Sequence, residues 1–334
     1  MSKKALVLAL AQVLGAAMGA QAADYPARDI TNVVVWAAGG GTDVCNRVVM
    51  AEMQKFLNTR INVTNKTGGV GGSIGMLHVL GQPADGYTLA GISESCVTAG
   101  VQGGWEKTMD VWYPFIIGGS PDLVSVTPES PYKTIQDLIE AAKKAPSTIK
   151  ISASAAGSIH HLNVLAMEAA TGAKFNYIPY QGSAPAQTAA MTGEVSVVVT
   201  SLAEQQQLLK GKKLRPLGML TPDKAELDGV GTIPSAFTAY PDLSKRLPIM
   251  QAIGFAIRND APANVKQALT NAFNKAMQSD PVKKWLNENY YAASGKSGEE
   301  ARKEFAKMDS LFAWTLWDLK AAKVDPTTLK IPKP

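Results

Sequence analysis

The sequence predicts an α/β protein folded as two lobes, and three observations carry the prediction. Strand-length apolar runs alternate with helix-period segments from residue 31 to residue 220, the pattern of a mostly parallel sheet flanked by helices on both faces. The chain has 334 residues, more than one hydrophobic core comfortably serves. The loops after the strands are rich in glycine, alanine, serine and threonine, and they form two sets, one before about residue 124 and one after about residue 150. Two lobes facing each other across a cleft would bring those sets together.

Taken in order, residues 1–22 read as a secretory signal peptide. Lys3 and Lys4 give the positive start, residues 5–20 the apolar middle, and Ala20-Gln21-Ala22 the small-residue cleavage site. The apolar run is short of the ~20 residues a membrane span needs, so an exported protein is expected. Removing the segment lowers the formal charge from +5 to +3, too small and too dispersed for a nucleic-acid partner.

The first strand, 31–36, breaks into Gly39-Gly40-Gly41 and enters a helix at Thr42 and Asp43. Strand, glycine turn and helix start make an anion cradle, because free N–H groups and the helix dipole point into the turn. It is neither of the common phosphate loops: Gly41-Thr42-Asp43 stands where a Walker loop needs Gly-Lys-Ser/Thr, and Val44 where a dinucleotide loop needs its third glycine.

Further strands are expected at 61–65, 87–93, 149–154, 174–180, 195–201, 214–220 and 250–257. A helix is expected over 134–145, where Ile135, Leu138, Ile139 and Ala142 form one stripe and Thr134 with Asp137 a capping box. Another spans 159–171 and is stopped by Gly172. The last third is mostly helical over 263–278, 281–291 and 299–323, with Phe312, Trp314, Leu316 and Trp317 as a stripe that packs on the sheet.

Ligands of open parallel sheets bind beyond the carboxyl ends of the strands, so these loops hold the candidate site. The first supplies Ala38, Gly39, Gly40, Thr42 and Asp43, with Trp36 beside it either as a ring face for a ligand or as core. Asp43 is a helix-start residue favoured by the dipole, or it orders the glycine loop, or it accepts from a ligand amine. The loop after 87–93 supplies Ser95, and that after 149–154 supplies Ser154, Ala155, Gly157 and Ser158, the last as a helix cap. Tyr180, Gly182, Ser183 and Ala184 follow 174–180, and Ser201 ends 195–201.

His160 and His161 are adjacent, hence on different faces of a helix, and His78 stands alone. None has the spacing of H-E-x-x-H, so no metal and no cofactor are expected. Cys45 and Cys96, the only cysteines, are either a disulfide of an exported chain or two buried thiols. A rival reading is a serine esterase, because Gly71-Gly72-Ser73-Ile74-Gly75 fits the G-x-S-x-G elbow, with acids from Asp85 to Asp137 and then His160 or His161 downstream. Only two strands precede Ser73, fewer than such an elbow needs, so catalysis is not expected.

The chain resembles the substrate-binding proteins of tripartite tricarboxylate transporters, the Bug family of periplasmic solute receptors. The resemblance rests on YPARDITNVVVWAAGGGTD, NKTGGVGGSIG, PADGYTL at 83–89, SPYKTIQDLIEAAKKAP at 130–146, SIHHLN at 158–163, PYQGSAPA at 179–186 and GKKLRPLGML at 211–220, in the family's order. The chain departs from the family at Trp36-Ala37-Ala38, where proline and phenylalanine are usual. The resemblance implies a two-domain periplasmic binding protein of the type II, Venus-flytrap kind. Domain 1 would comprise 23–124 and 252–334, and domain 2 would be 125–251. It further implies a monomer that holds a small carboxylate on backbone amides and hydroxyls, His161 as a cleft residue, Ser73 in a structural turn, and permease subunits or a sensor as partners.

Overall fold

The computed structural model describes residues 25–334; the expected signal peptide lies outside them. The first lobe is built on a six-stranded sheet. Its strands are β1 (Ile30–Val34), β2 (Ile61–Asn65), β3 (Thr88–Ser93), β4 (Trp112–Gly119), β12 (Ile253–Arg258) and β13 (Ala292–Ala293), ordered β13-β4-β12-β3-β1-β2. The second lobe holds β5 (Asp122–Val126), β6 (Lys150–Ser152), β7 (Asn176–Ile178), β8 (Val197–Ser201) and β9 (Arg215–Met219), ordered β7-β6-β8-β5-β9. A small hairpin, β10 (Ala225–Leu227) and β11 (Gly231–Ile233), follows.

The expected parallel order holds for β2-β1-β3 and for β7-β6-β8, the strands joined by helical crossovers. The remaining pairs are antiparallel, so each sheet is mixed. The cause is the route of the chain. β4 runs directly into β5 through Ser120-Pro121, and β12 re-enters the first sheet after the whole second lobe, so neither arrives by a βαβ crossover. The expected boundary at 124 falls inside β5, which pairs with β8 along its full length; the passage between the sheets is at 120–121. The return passage leads into β12 at Ile253.

Helix α1 (Gly41–Leu57) and helices α7 (Ala263–Gln278) and α8 (Asp280–Glu288) cover one face of the first sheet, with Val49, Met50, Phe255, Leu269 and Phe273 in the seam. The other face takes α2 (Ser73–Leu80) and the long α9 (Gly298–Asp318), through Met76, Val79, Phe305 and Phe312. In the second lobe α3 (Ile135–Lys144) and α4 (Ile159–Thr171) cover one face, and α5 (Ser183–Met191) and α6 (Leu202–Lys210) the other. α3 buries the stripe read from its sequence, and both halves of the Thr134–Asp137 capping box form. Phe312 and Leu316 of α9 are fully buried, whereas Trp317 is 39% exposed. α9 also packs on α4, so one apolar cluster runs through both lobes.

Candidate functional site

The glycine turn of the first lobe is shaped by Asp43. Its carboxylate accepts the Gly39 N–H at 3.0 Å and the Asn65 amide at 2.8 Å, and it pairs with Arg47 at 2.9 Å. Gly39 has φ of 81°, a left-handed conformation that glycine adopts without strain. Burial alone would raise the Asp43 carboxyl's pKa, but Arg47, the Gly39 N–H and Asn65 outweigh it and hold it below the usual carboxylate range. Asp43 therefore orders the loop, and its oxygens are already engaged. With Asp43 turned back on the loop, α1 has no side-chain cap, and among the described residues no protein acceptor meets the Thr42 or Asp43 N–H.

Helix α5 of the second lobe presents a matching end. Gly182 precedes it at φ 147°, ψ 172°, again without a side-chain cap, and the Ser183 and Ala184 N–H groups have no protein acceptor among the described residues. The two turns meet across the cleft. The Ala37 N–H donates to Gln181 O at 3.0 Å, and a β-carbon on Gly182 would lie 3.1 Å from Ala37 N. Nearby the Ile159 N–H donates to Ser95 Oγ at 3.0 Å, and Thr98 Oγ1 donates to Gly157 O at 2.8 Å. Loops 59 to 163 residues apart thus form one site, with the first turns of four helices (α1, α4, α5 and α6) directed at it. First-turn N–H groups and helix dipoles favour an anion there.

The site also holds a buried charge cluster. His160, in the first turn of α4, is 4% exposed. Its Nδ1 lies 2.8 Å from Asp122 Oδ2, its Nε2 3.2 Å from Ser183 Oγ and 3.6 Å from Glu204 Oε2. Asn163, one helical turn on, donates to the same Asp122 oxygen at 2.6 Å. Burial alone would lower the His160 pKa, but Asp122, Glu204 and Glu94 more than reverse this and raise it to about 9. At neutral pH the ring is an imidazolium that donates from both nitrogens. Asp122, His160 and Ser183 form a hydrogen-bonded chain, with the His160 ring between the carboxylate and the hydroxyl. The array presents a cation and a hydroxyl to an anion.

Glu204 crosses the cleft. Its Oε2 accepts the Ser201 N–H at 3.0 Å and hydroxyl at 2.9 Å, completing a capping box on α6, while Oε1 accepts the Gly41 N–H of α1 at 2.8 Å. Glu94 is fully buried, accepts from Ser95 Oγ and the Ala252 N–H at 2.7 Å each, and has its pKa raised by burial.

The cavity between the lobes is small, about 20 Å³, room for roughly one water. Of the residues expected in the site it is lined by Trp36, Gly40, Thr42, Ser95, Ser154, Gly182 and Ser183. Gly39, Ala184 and Gly157 sit at cross-lobe contacts beside it, and Ser158 and Ser201 cap α4 and α6 behind it. Ala38 is exposed, Ala155 joins the core, and the Tyr180 hydroxyl turns away to Glu194 at 2.8 Å. Gly41, Ser93, Glu94, His160, Glu204 and Gln251 complete the lining and were not expected.

His160, and not the expected His161, lines the cavity. His161 stacks on Tyr177 with ring centroids 4.0 Å apart, and its Nδ1 accepts the Gly157 N–H. Burial drives its pKa down to about 4, so it is neutral and braces the loop. Consecutive helical residues point about 100° apart, and the face shared with Asn163 is the one turned to Asp122. Cys45 and Cys96 are free, buried thiols. They lie in the core clusters on opposite faces of the first sheet, which keeps them apart. Ser73 is 3% exposed at the start of α2, crowded by Gly69 and Gly104, and among the described residues no hydrogen bond joins it to a histidine or carboxylate.

Comparison with known proteins agrees with this geometry. Residues 45–307 match the family described as the tripartite tricarboxylate transporter family receptor. Protein BugT of Bordetella pertussis is 32% identical over 216 residues, 63% of this chain and 66% of that one. A solved periplasmic transporter structure superposes with a TM-score of 0.79 at 26% identity, covering 89% of this chain and 97% of its own. Rpa4515 of R. palustris, solved with adipate, gives 0.78 at 24% identity, covering 90% and 99%. The fold is that of periplasmic solute-binding receptors, and the chain belongs to the tripartite tricarboxylate transporter receptor family.

Proposed function

We propose that this protein is a non-catalytic periplasmic receptor for a small carboxylate. It works as a monomer and delivers its ligand to the permease subunits of a tripartite tricarboxylate transporter, or reports it to a sensor. One observation carries the reading. The uncapped N-termini of α1 and α5 face each other across the cleft, with the His160 imidazolium beside them. Such a seat holds one carboxylate without lysine or arginine, because charge-assisted bonds from N–H groups and a buried cation replace its hydration. The lobes between which it lies would move about the passages at 120–121 and near 252, in the manner of a hinge. Ligand binding then shifts the population toward the closed form that the permease reads, by no more than the ligand's preference for that form.

The ligand is expected to have four to eight carbons or a single aromatic ring, since it must reach both lobes. Calorimetry with succinate and with its dimethyl ester tests the class. Succinate is expected to bind and the ester to bind at least tenfold more weakly. Equal affinity would mean that the seat does not read a carboxylate.

A further inference from the structure

Glu204 stands where the ligand is expected. Its Oε1 takes the Gly41 N–H at the α1 N-terminus from the opposite lobe, 163 residues away in sequence, and its Oε2 is 3.6 Å from His160 Nε2. The space left beside it holds roughly one water, far less than a four-carbon acid needs. A β-carbon on Gly41 would come within 2.8 Å of Glu204 Oε1, so the two groups meet without slack. A carboxylate of the protein's own thus occupies the α1 N-terminus.

We propose that Glu204 is the selectivity residue of this cleft: it occupies the carboxylate seat at the α1 N-terminus and, once displaced by a ligand carboxylate, accepts a hydrogen bond from a donor on the ligand's next carbon. The inference rests on the carboxylate reading above. A ligand carboxylate would take the Gly41 N–H in place of Oε1, beside the His160 Nε2 donor. Glu204 cannot move far, because Oε2 remains tied to Ser201 as the α6 cap. Its freed oxygen then faces the newcomer. A bare acid presents only repulsion and C–H groups to that oxygen, whereas a hydroxyl or ammonium on the carbon beside the carboxylate presents a donor. The class of ligand is therefore a 2-hydroxy or 2-amino acid rather than an unsubstituted one. The lining has no lysine or arginine, and its one cation, the His160 imidazolium, is already paired with Asp122, so an entering ligand still meets the Glu204 charge.

Succinate, malate and aspartate test this, since they share one skeleton and differ only in hydrogen, hydroxyl or ammonium at a single carbon. Calorimetry on the full chain is expected to rank malate and aspartate at least tenfold tighter than succinate, the range of one hydrogen bond to a charged acceptor. In Glu204→Gln the α6 capping box survives, because glutamine serves at that position as glutamate does. There succinate is expected to tighten and the spread to fall below threefold. An unchanged spread in the variant, or succinate binding best to the parent, overturns the proposal. Small-angle scattering on the ligand-free chains supplies an independent readout: Glu204→Gln is expected to have the larger radius of gyration, and superimposable curves would overturn the internal occupant. If none of the three acids binds either chain, the carboxylate reading itself fails, while scattering still decides whether Glu204 holds the lobes together.

Discussion

The sharpest test of the site is removal of the His160 charge. The ring is sandwiched between Asp122 at 2.8 Å and Glu204 at 3.6 Å, and all three side chains are at most 5% exposed. His160→Gln keeps a donor of similar size but leaves two buried acids without their counter-charge. Stripping one partner from a buried ionic cluster costs about 3–5 kcal/mol. The parent protein predicts the pH dependence. A folded pKa of about 9 against 6.5 in the unfolded chain means that the native state holds the proton more tightly. The resulting stability is complete below pH 6.5 and is lost as pH rises from 6.5 to 9. At roughly 1.4 kcal/mol per pH unit it amounts to about 3 kcal/mol. Urea denaturation followed by tryptophan fluorescence, run on both chains between pH 6 and 9.5, gives the difference between the two profiles. Asp309 also has a pKa raised by burial, to about 7, but it titrates alike in both chains and cancels. The difference is expected to be largest at pH 6 and to shrink toward pH 9. A difference that stays constant across that window would refute the imidazolium.

Two other substitutions probe the cleft's frame. Gly182→Val forces a side chain into φ 147°, ψ 172°, a region reserved for glycine, and drives its β-carbon toward Ala37 at 3.1 Å; a cost of about 1–3 kcal/mol and loss of carboxylate binding in a thermal-shift titration are expected. Asp43→Ala frees the Gly39 N–H, Asn65 and Arg47 at once, with an expected loss of about 2–3 kcal/mol at neutral pH in urea denaturation. Because the Asp43 pKa is depressed, that loss should fade as pH falls below the usual carboxylate range.

Much of the frame was legible because local chemistry and tertiary structure agree. The 134–145 stripe and its capping box sit on a helix whose buried face is the one its sequence marks, and Gly172 adopts the left-handed cap that stops α4. The region 112–126 was not legible as strands. Pro114, Gly118, Gly119 and Pro121 punctuate β4 and β5, yet they fall where the chain is leaving one sheet for the other. The cleft loops were legible from glycine, serine and their places after strands. Glu94, His160, Glu204 and Gln251 were not, because nothing local separates a glutamate that caps its own helix from one that also crosses a cleft. The signal was present at Ser201 and Glu204, where a capping box opens the helix behind a candidate loop. Its second carboxylate oxygen finds Gly41 only in three dimensions.

These features change how closure should be understood. Few hydrogen bonds join the lobes: Ala37 to Gln181, Gly41 to Glu204, Ile159 to Ser95 and Thr98 to Gly157 at the cleft, and Gln206 to Asn289 and Asp228 to Tyr290 beside it. At about 0.5–1.5 kcal/mol each they make a modest total. The apolar cluster shared by the lobes, with α9 packed on α4, adds contact area behind them. In this closed arrangement the Gly41 N–H at the α1 N-terminus is already met by Glu204. On the proposal above, an entering carboxylate exchanges one anion for another at the Gly41 N–H, so its affinity there is a difference between two similar interactions. Tight binding must then come from what the ligand offers beyond its carboxylate. That surplus is where one small acid can be told from the next, and Glu204 is the residue placed to read it.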